Sequence, residues 1–301
     1  HCIDFHGMLI FALVVSNDCE RMFLSSFVVL GLSRAPFLCH AFGMQLPCET
    51  PFQIELAQHE VLRGYLHDTG SGPIGVFLPG FASDMQGSKS QLLAQHAQRL
   101  GRSWLRFDYR GIGRSDGDFA GLSISRYLED VEAILALVAP RPLVLVGSSM
   151  GGWVATLAAQ RYPQRIRALL LIAPAYNFIQ DYFAALPTEE QKDWQETGLR
   201  HWQLGPYGPR FPLAFGAVED AAAYDLLRHP PRLAIPTLIL HGSADDAVPL
   251  QRSFTFADLA SSPSLAIRVL PGIDHRLQGA ERQLLQGVDE VWLAVAAAAA
   301  L

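Results

Sequence analysis

The sequence predicts an α/β fold built on a mostly parallel sheet, and three observations predict it. Short, nearly continuous apolar runs recur between Gly and Pro residues, as strands buried on both faces require. Segments with apolar residues three and four apart separate those runs, as helices laid on a sheet require. One of the runs ends in a glycine-flanked serine just before a helical segment.

Taken in order, FQIELA (52–57) and EVLRGYLHD (60–68) read as two strands joined by a short turn. PIGVFLPG (73–80), SWLRFDY (103–109), RPLVLVG (141–147), RALLLIAPA (167–175), PTLILHG (236–242) and SLAIRVLPG (264–272) read as further strands, each bounded by Gly or Pro or by a loop. Between them, SKSQLLAQHAQRLG (88–101), SRYLEDVEAILALVA (125–139) and GWVATLAAQRYP (152–163) have helical spacing. Pro140 and Pro163 stand where the last two patterns stop. Residues 279–301 read as a closing helix whose alanine tail reflects helix propensity alone. The alternation breaks once, between 176 and 235. That stretch is too long for a loop and holds the helical pieces QDYFAAL and EDAAAYDLLRH, so it is expected to be a lid inserted over the carboxyl edge of the sheet.

Half of the 301 residues are hydrophobic, enough for one sizeable α/β domain. The net charge of −6 comes with no run of Lys or Arg, which argues against a nucleic-acid partner. All four cysteines, Cys2, Cys19, Cys39 and Cys48, lie near the start and form no C-x-x-C pair, so neither a disulfide framework nor a zinc site is expected. Residues 1–43 are expected to be a leader or extension outside the fold, with Met44 as the start and 44–301 as the folded domain. The apolar runs 8–15 and 23–32 are each too short to span a bilayer. A cytoplasmic location is the expectation, and an organellar or secreted one the alternative if residues 1–43 are a targeting segment.

The chemistry starts at Gly147-Ser148-Ser149-Met150-Gly151. A G-x-S-x-G turn between a strand and a helix forces its central residue into a strained conformation and needs small residues two places to either side. Ser149 is central, with Gly147 and Gly151 flanking it, so Ser149 is the candidate nucleophile and Ser148 points away from the site. A serine needs a base, usually a histidine oriented by a carboxylate. Of the histidines that follow, His275 lies in PGIDHRL after the last strand, on the edge where Ser149 emerges. His241 ends a strand and is expected to cap or pack there, while His201 and His229 read as polar surface groups of the lid. The loop HGSADDAVP (241–249) offers Asp245 and Asp246, between which chemistry alone does not choose. The oxyanion formed on attack needs fixed donors, one being the backbone N–H after the nucleophile, at Met150.

These residues resemble the α/β-hydrolase superfamily from about Phe52 onward. The likeness rests on GSSMGG (147–152), the G-x-x-D-x-x-V-P spacing of HGSADDAVP, GIDH (272–275) and RFDYRGIGRSDG (106–117), which is similar to the family's D-x-R-G-x-G-x-S loop. With FLPGFASDMQGSKS (77–90), the motifs look like the branch of mitochondrial acyl-protein thioesterases, also described as acyl-glucuronide esterases. The resemblance implies an α/β-hydrolase fold with a mostly parallel eight-stranded sheet, helices on both faces and a small helical lid after strand 6. It implies Asp245 as the acid and the Phe81 N–H as the second oxyanion donor. It also implies hydrolysis of a small-molecule or protein-linked acyl ester or thioester.

The site is expected to work without a cofactor or a metal, there being no H-E-x-x-H; GIGRSDG and GSKS do not fit nucleotide-binding loops. A peptidase or acyltransferase using the same triad, a haloperoxidase-like activity and a non-catalytic binder on the same scaffold are the alternatives. The lid aromatics Tyr176, Phe178, Tyr182, Phe183 and Trp194 read equally as the wall of an apolar acyl pocket and as lid core.

Overall fold

The structure, a computed structural model, describes residues 49–56, 59–203 and 209–298. The four cysteines and the proposed leader lie outside these residues.

Eight strands form one sheet in the order β1-β2-β4-β3-β5-β6-β9-β10. β1 (Thr50–Glu55) and β2 (Val61–His67) are antiparallel to each other, and β2 is antiparallel to β4 (Ser103–Asp108). β3 (Ile74–Leu78), β5 (Leu143–Ser148), β6 (Ile166–Ile172), β9 (Thr237–Gly242) and β10 (Leu265–Leu270) extend the sheet in parallel from β4. Burial follows position. Every residue of β3, β4, β5 and β9 is buried, whereas edge strand β1 alternates half-buried and exposed residues. The apolar run of a central strand and the alternating run of an edge strand thus have the same cause, the number of faces that are covered.

Period two divides β5 between the two layers. Leu143 and Leu145 face a core completed by α2 (Ile124–Leu137) and α3 (Met150–Arg161). Val144 and Val146 face a second core completed by α1 (Ser88–Arg99) and α7 (Glu281–Ala298). In α2 the buried residues Ile124, Tyr127, Leu128, Val131, Ile134 and Leu135 make one stripe, and the Ser123 hydroxyl caps the helix by accepting from the Arg126 N–H at 3.1 Å. α3 is buried from Met150 through Ala159, and the small residues Gly151, Gly152, Ala155 and Ala158 let it lie close to the sheet.

β4 and β5 lie on opposite sides of β3, so the chain direction of travel across the sheet reverses there. Such a reversal leaves a crevice at the carboxyl ends of the strands, beyond Leu78 and Ser148.

Between β6 and β9 the chain builds the lid from α4 (Phe178–Ala185), α5 (Thr188–Thr197), the antiparallel pair β7 (Leu199–Gln203) and β8 (Arg210–Ala214), and α6 (Gly216–Ala222). The lid is therefore not helical throughout: the β7–β8 pair corrects that expectation. Its two ends are pinned together. The Asn177 side-chain amide nitrogen donates to Asp225, the Leu226 N–H donates to the Asn177 side-chain Oδ1 at 3.3 Å, and the Trp153 indole of α3 donates to the Tyr224 backbone carbonyl at 3.0 Å. Trp194 is fully buried, donates to the Leu213 carbonyl at 3.0 Å and packs edge-on against Tyr182, Phe183 and Phe215. Trp194→Ala should therefore lower unfolding free energy by about 3–5 kcal/mol in a denaturant titration, or melt the lid as a separate earlier transition.

Candidate active site

Ser149 stands between β5 and α3 with φ +55° and ψ −120°, a left-handed conformation costly for any residue with a side chain. Backbone bonds hold it there, among them one from the Trp153 N–H to its carbonyl at 3.4 Å. Its N–H donates to the Ile172 carbonyl of β6 at 2.8 Å, and its carbonyl accepts from Gly152 at 2.9 Å and Ala175 at 3.1 Å. A Cβ on Gly147 would lie 2.3 Å from the Gly151 carbonyl oxygen, and one on Gly151 would lie 2.1 Å from that of Leu78. Strand, turn and helix can pass this closely only because both residues are glycine. Ser149 stays half-buried and accessible, while Ser148 is buried.

The Pro79–Gly80–Phe81 segment leaves β3 against the serine. A Cβ on Gly80 would lie 3.1 Å from the Ser149 Cβ, so the backbone of this segment runs in van der Waals reach of the nucleophile candidate. The Met150 N–H opens α3, where the first N–H groups have no acceptor within the helix. The Met150 side chain is fully buried in the core.

The loop after β4 ties down the segment that follows Pro79–Gly80–Phe81. The buried Asp108 carboxylate accepts the Met85 N–H at 2.6 Å and the Arg114 N–H at 2.8 Å. The Ser115 hydroxyl donates to the Asp108 carbonyl at 2.6 Å, and Arg110 Nε donates to the buried Asp130 at 2.5 Å. Gly113, at φ +56°, leaves room for the Asp108 carboxylate, which a Cβ there would meet at 2.2 Å. The D-x-R-G-x-G-x-S residues thus act as scaffold.

The acid and base candidates come from the two strands at the far edge. Asp245 follows β9 and has a fully buried side chain. Its Oδ1 accepts the Ala247 and Val248 N–H groups at 2.9 and 2.7 Å, and its Oδ2 lies 2.7 Å from His275 Nδ1. Burial alone would raise its pKa, but hydrogen bonds from His241, His275 and the Val248 N–H outweigh burial and hold the carboxyl well below the usual carboxylate range. Asp246 is exposed. His275 follows β10, and because Asp245 is a carboxylate its Nδ1 carries the proton, leaving the Nε2 lone pair free to accept one.

Ser149, Asp245 and His275 therefore lie just past the carboxyl ends of three parallel strands, with Asp245 and His275 in direct contact. Two further side chains stand beside this pair: His241, expected from the sequence to cap or pack at a strand end, and Lys89, which the sequence did not mark. His241 is fully buried, with Nε2 at 3.0 Å from the Val248 carbonyl and 3.3 Å from Asp245, and Nδ1 at 2.7 Å from the Ser253 hydroxyl. A carbonyl only accepts, so Nε2 carries the proton and also faces the carboxylate. Lys89, at the start of α1, donates to the Arg276 carbonyl at 3.1 Å and so ties the His275 loop to the helix that follows the Pro79–Phe81 segment. A buried polar side chain at a strand end was the signal for His241; no local pattern marks Lys89. His201 and His229 are exposed. Tyr176 and Trp194 are fully buried, whereas Phe178, Tyr182 and Phe183 remain partly accessible. Among the described residues no group of three His, Cys, Asp or Glu could hold a metal ion, and no helix is long and apolar enough to cross a membrane.

Comparison with known proteins places this geometry. A family model described as serine aminopeptidase, S33 (Hydrolase_4) matches residues 74–214. Palmitoyl-protein thioesterase ABHD10 of rat, named as mitochondrial, is 35% identical over 69% of this chain and 71% of its own length. The chain belongs to the α/β-hydrolase family. It is a serine hydrolase. The solved structure of alpha/beta hydrolase domain-containing protein 10 from mouse superposes on this α/β-hydrolase with a TM-score of 0.72 and 32% identity, covering 80% of this chain and 98% of that one. Est1E from Butyrivibrio proteoclasticus, solved with ferulic acid, shares the fold at a TM-score of 0.70 and 21% identity, covering 82% of this chain and 99% of that one.

Two measurements check the local physics of this hydrolase. Gly151→Ala should destabilise the elbow by about 1–3 kcal/mol in thermal unfolding, because backbone atoms rather than a flexible side chain meet the added methyl. Asp245 has a folded-state pKa below its unfolded value, so its stabilisation is full above the unfolded value and is lost as pH falls through the folded one. Asp245→Asn should therefore be less stable than wild type at neutral pH, and the gap should close as the pH falls below about 4.

Proposed function

We propose that this hydrolase cleaves acyl thioesters and esters through a Ser149–His275–Asp245 triad and an acyl-enzyme intermediate. The observation that carries the reading is the 2.7 Å contact between His275 Nδ1 and the buried Asp245 carboxylate on the edge where the strained Ser149 emerges. It fixes the tautomer in which Nε2 takes the serine proton. In this scheme Ser149 Oγ attacks the acyl carbonyl and His275 takes its proton. The Met150 and Phe81 N–H groups receive the oxyanion. His275 then protonates the departing thiolate or alkoxide. Water, deprotonated by the same imidazole, releases the carboxylic acid and restores Ser149. Asp245 remains ionised throughout, in keeping with its depressed pKa.

For the substrate we propose a long acyl chain on a protein or small-molecule thiol or alcohol. The palmitoyl-protein thioesterase named among the relatives supports this class, as do the partly accessible rings of Phe178, Tyr182 and Trp202 beside the oxyanion segment. The relatives' names also support an organellar location over the cytoplasmic expectation. A peptidase is the second reading, favoured by the family model's description as a serine aminopeptidase.

A panel of acyl thioesters, esters and amides of increasing chain length separates the two readings. The thioesterase reading expects kcat/KM to rise with chain length and amides to be cleaved far more slowly; efficient release of N-terminal residues from peptides would establish the peptidase. Ser149→Ala should lower turnover by about 10⁶-fold. Asp245→Asn should cost about 10⁴-fold and Asp246→Asn far less; the reverse order would reassign the acid.

A further inference from the structure

The turn that carries the Phe81 N–H is strained. The Ser83 N–H donates to the Gly80 carbonyl at 3.1 Å, closing a four-residue turn over Gly80–Ser83. Its third residue is Ala82 at φ +55°, where a glycine would be unstrained. A non-glycine residue keeps such a conformation only where its surroundings over-determine it. Downstream the turn is held by the Met85 N–H on Asp108.

At the turn itself the only large side chain is Phe81, and four rings surround it. Phe119, from the short helical turn after β4, meets it edge-on at 5.4 Å between centroids. The other three belong to the lid: Phe178 of α4 at 5.6 Å, Trp202 of β7 at 5.1 Å and Phe211 of β8 at 6.0 Å. The lid rings are themselves anchored. Trp202 stacks on Tyr182 at 3.8 Å and meets Phe178 at 5.5 Å. Phe178 reaches Trp153 of the nucleophile helix at 6.1 Å, and Phe211 lies on Phe119 at 4.8 Å. Ring pairs of this kind contribute beyond the area they bury and fix relative orientation.

We propose that the lid hairpin, through Trp202 and Phe211, holds the strained turn that presents the Phe81 N–H, making both positioning residues for oxyanion stabilisation rather than walls of the acyl site alone. The proposal rests on the serine-hydrolase mechanism above and assigns the lid a part in the chemical step. Releasing the turn lets Ala82 relax and swings the Phe81 N–H away from the developing oxyanion, which lowers kcat for every substrate whatever its chain length. A wall of the acyl site acts through binding of long chains only.

The test uses 4-nitrophenyl acetate, whose two-carbon acyl group has little use for an apolar wall, beside a long-chain acyl thioester. Trp202→Ala should lower kcat for the acetate by about tenfold or more, part of the 10²–10³-fold that an oxyanion donor supplies. Its KM should stay within about threefold, and Trp202→Phe, which keeps a ring, should recover most of the loss. Phe211→Leu should lower acetate kcat in the same way and gives the answer even if Trp202→Ala fails to fold, as judged by thermal unfolding. Acetate kcat within about twofold of wild type in the folded variants, with the loss confined to KM for the long-chain substrate, would overturn the proposal. Ser149→Ala retaining acetate hydrolysis would be a separate failure, that of the nucleophile itself.

Discussion

The backbone at Ser149 holds a left-handed conformation because β5, α3 and the end of β3 converge on it within van der Waals distance. That convergence needs glycine at 147 and 151, since an added methyl at either would run into backbone atoms of the neighbouring segments. The same close approach gives three results at once. It lifts the serine hydroxyl out of the turn, aims the first N–H groups of α3 at the space beside it, and brings the Gly80 backbone alongside. In the proposed mechanism, nucleophile and oxyanion donors are thus products of one steric arrangement. The core supports it: α3 is buried almost all round, so the elbow cannot relax without disturbing both β5 and β6.

The other half of the site depends on a buried charge. Taking the Asp245 carboxylate out of water is costly, and the loop after β9 offsets this with two backbone N–H donors while His275 and His241 approach the other oxygen. In the proposed mechanism a carboxylate so placed orients the imidazole and favours the imidazolium that would form during attack. Buried His241, locked by Ser253 and the Val248 carbonyl, lies 3.3 Å from the same carboxylate oxygen that His275 approaches. The Lys89 bond to the Arg276 carbonyl joins the histidine loop to the helix that follows the Pro79–Phe81 segment. Together with the rings around Phe81, these contacts turn loops from four strands and a lid into one rigid constellation.

Legibility in the sequence followed the range of the interactions. β3, β5 and β9 were visible because burial on both faces writes an unbroken apolar run, and the elbow because its steric rule leaves two glycines at fixed distance from Ser149. His275 was visible from its place after the last strand. Asp245 and Asp246 are identical locally; only family resemblance chose between them, and burial of the first with exposure of the second is a tertiary result. The β7–β8 pair was not legible. LRHWQ and RFPLA carry charges, a proline and no alternation, and their paired strands are anchored by Trp202 stacked on Tyr182 and Phe211 edge-on to Phe81, rings from distant segments. His241 read as a packed strand end; its approach to Asp245 depends on how the following loop folds back.

The central claim is that the hydroxyl at 149 becomes acylated during turnover. Rapid quenching of the protein with a long-chain acyl thioester, followed by peptide mapping by mass spectrometry, tests it most directly. A transient acyl ester on Ser149, absent from its neighbour Ser148, is expected to form and decay at rates compatible with kcat. Steady product release with the acyl group on another residue, or with no acylated serine at any time, would contradict it.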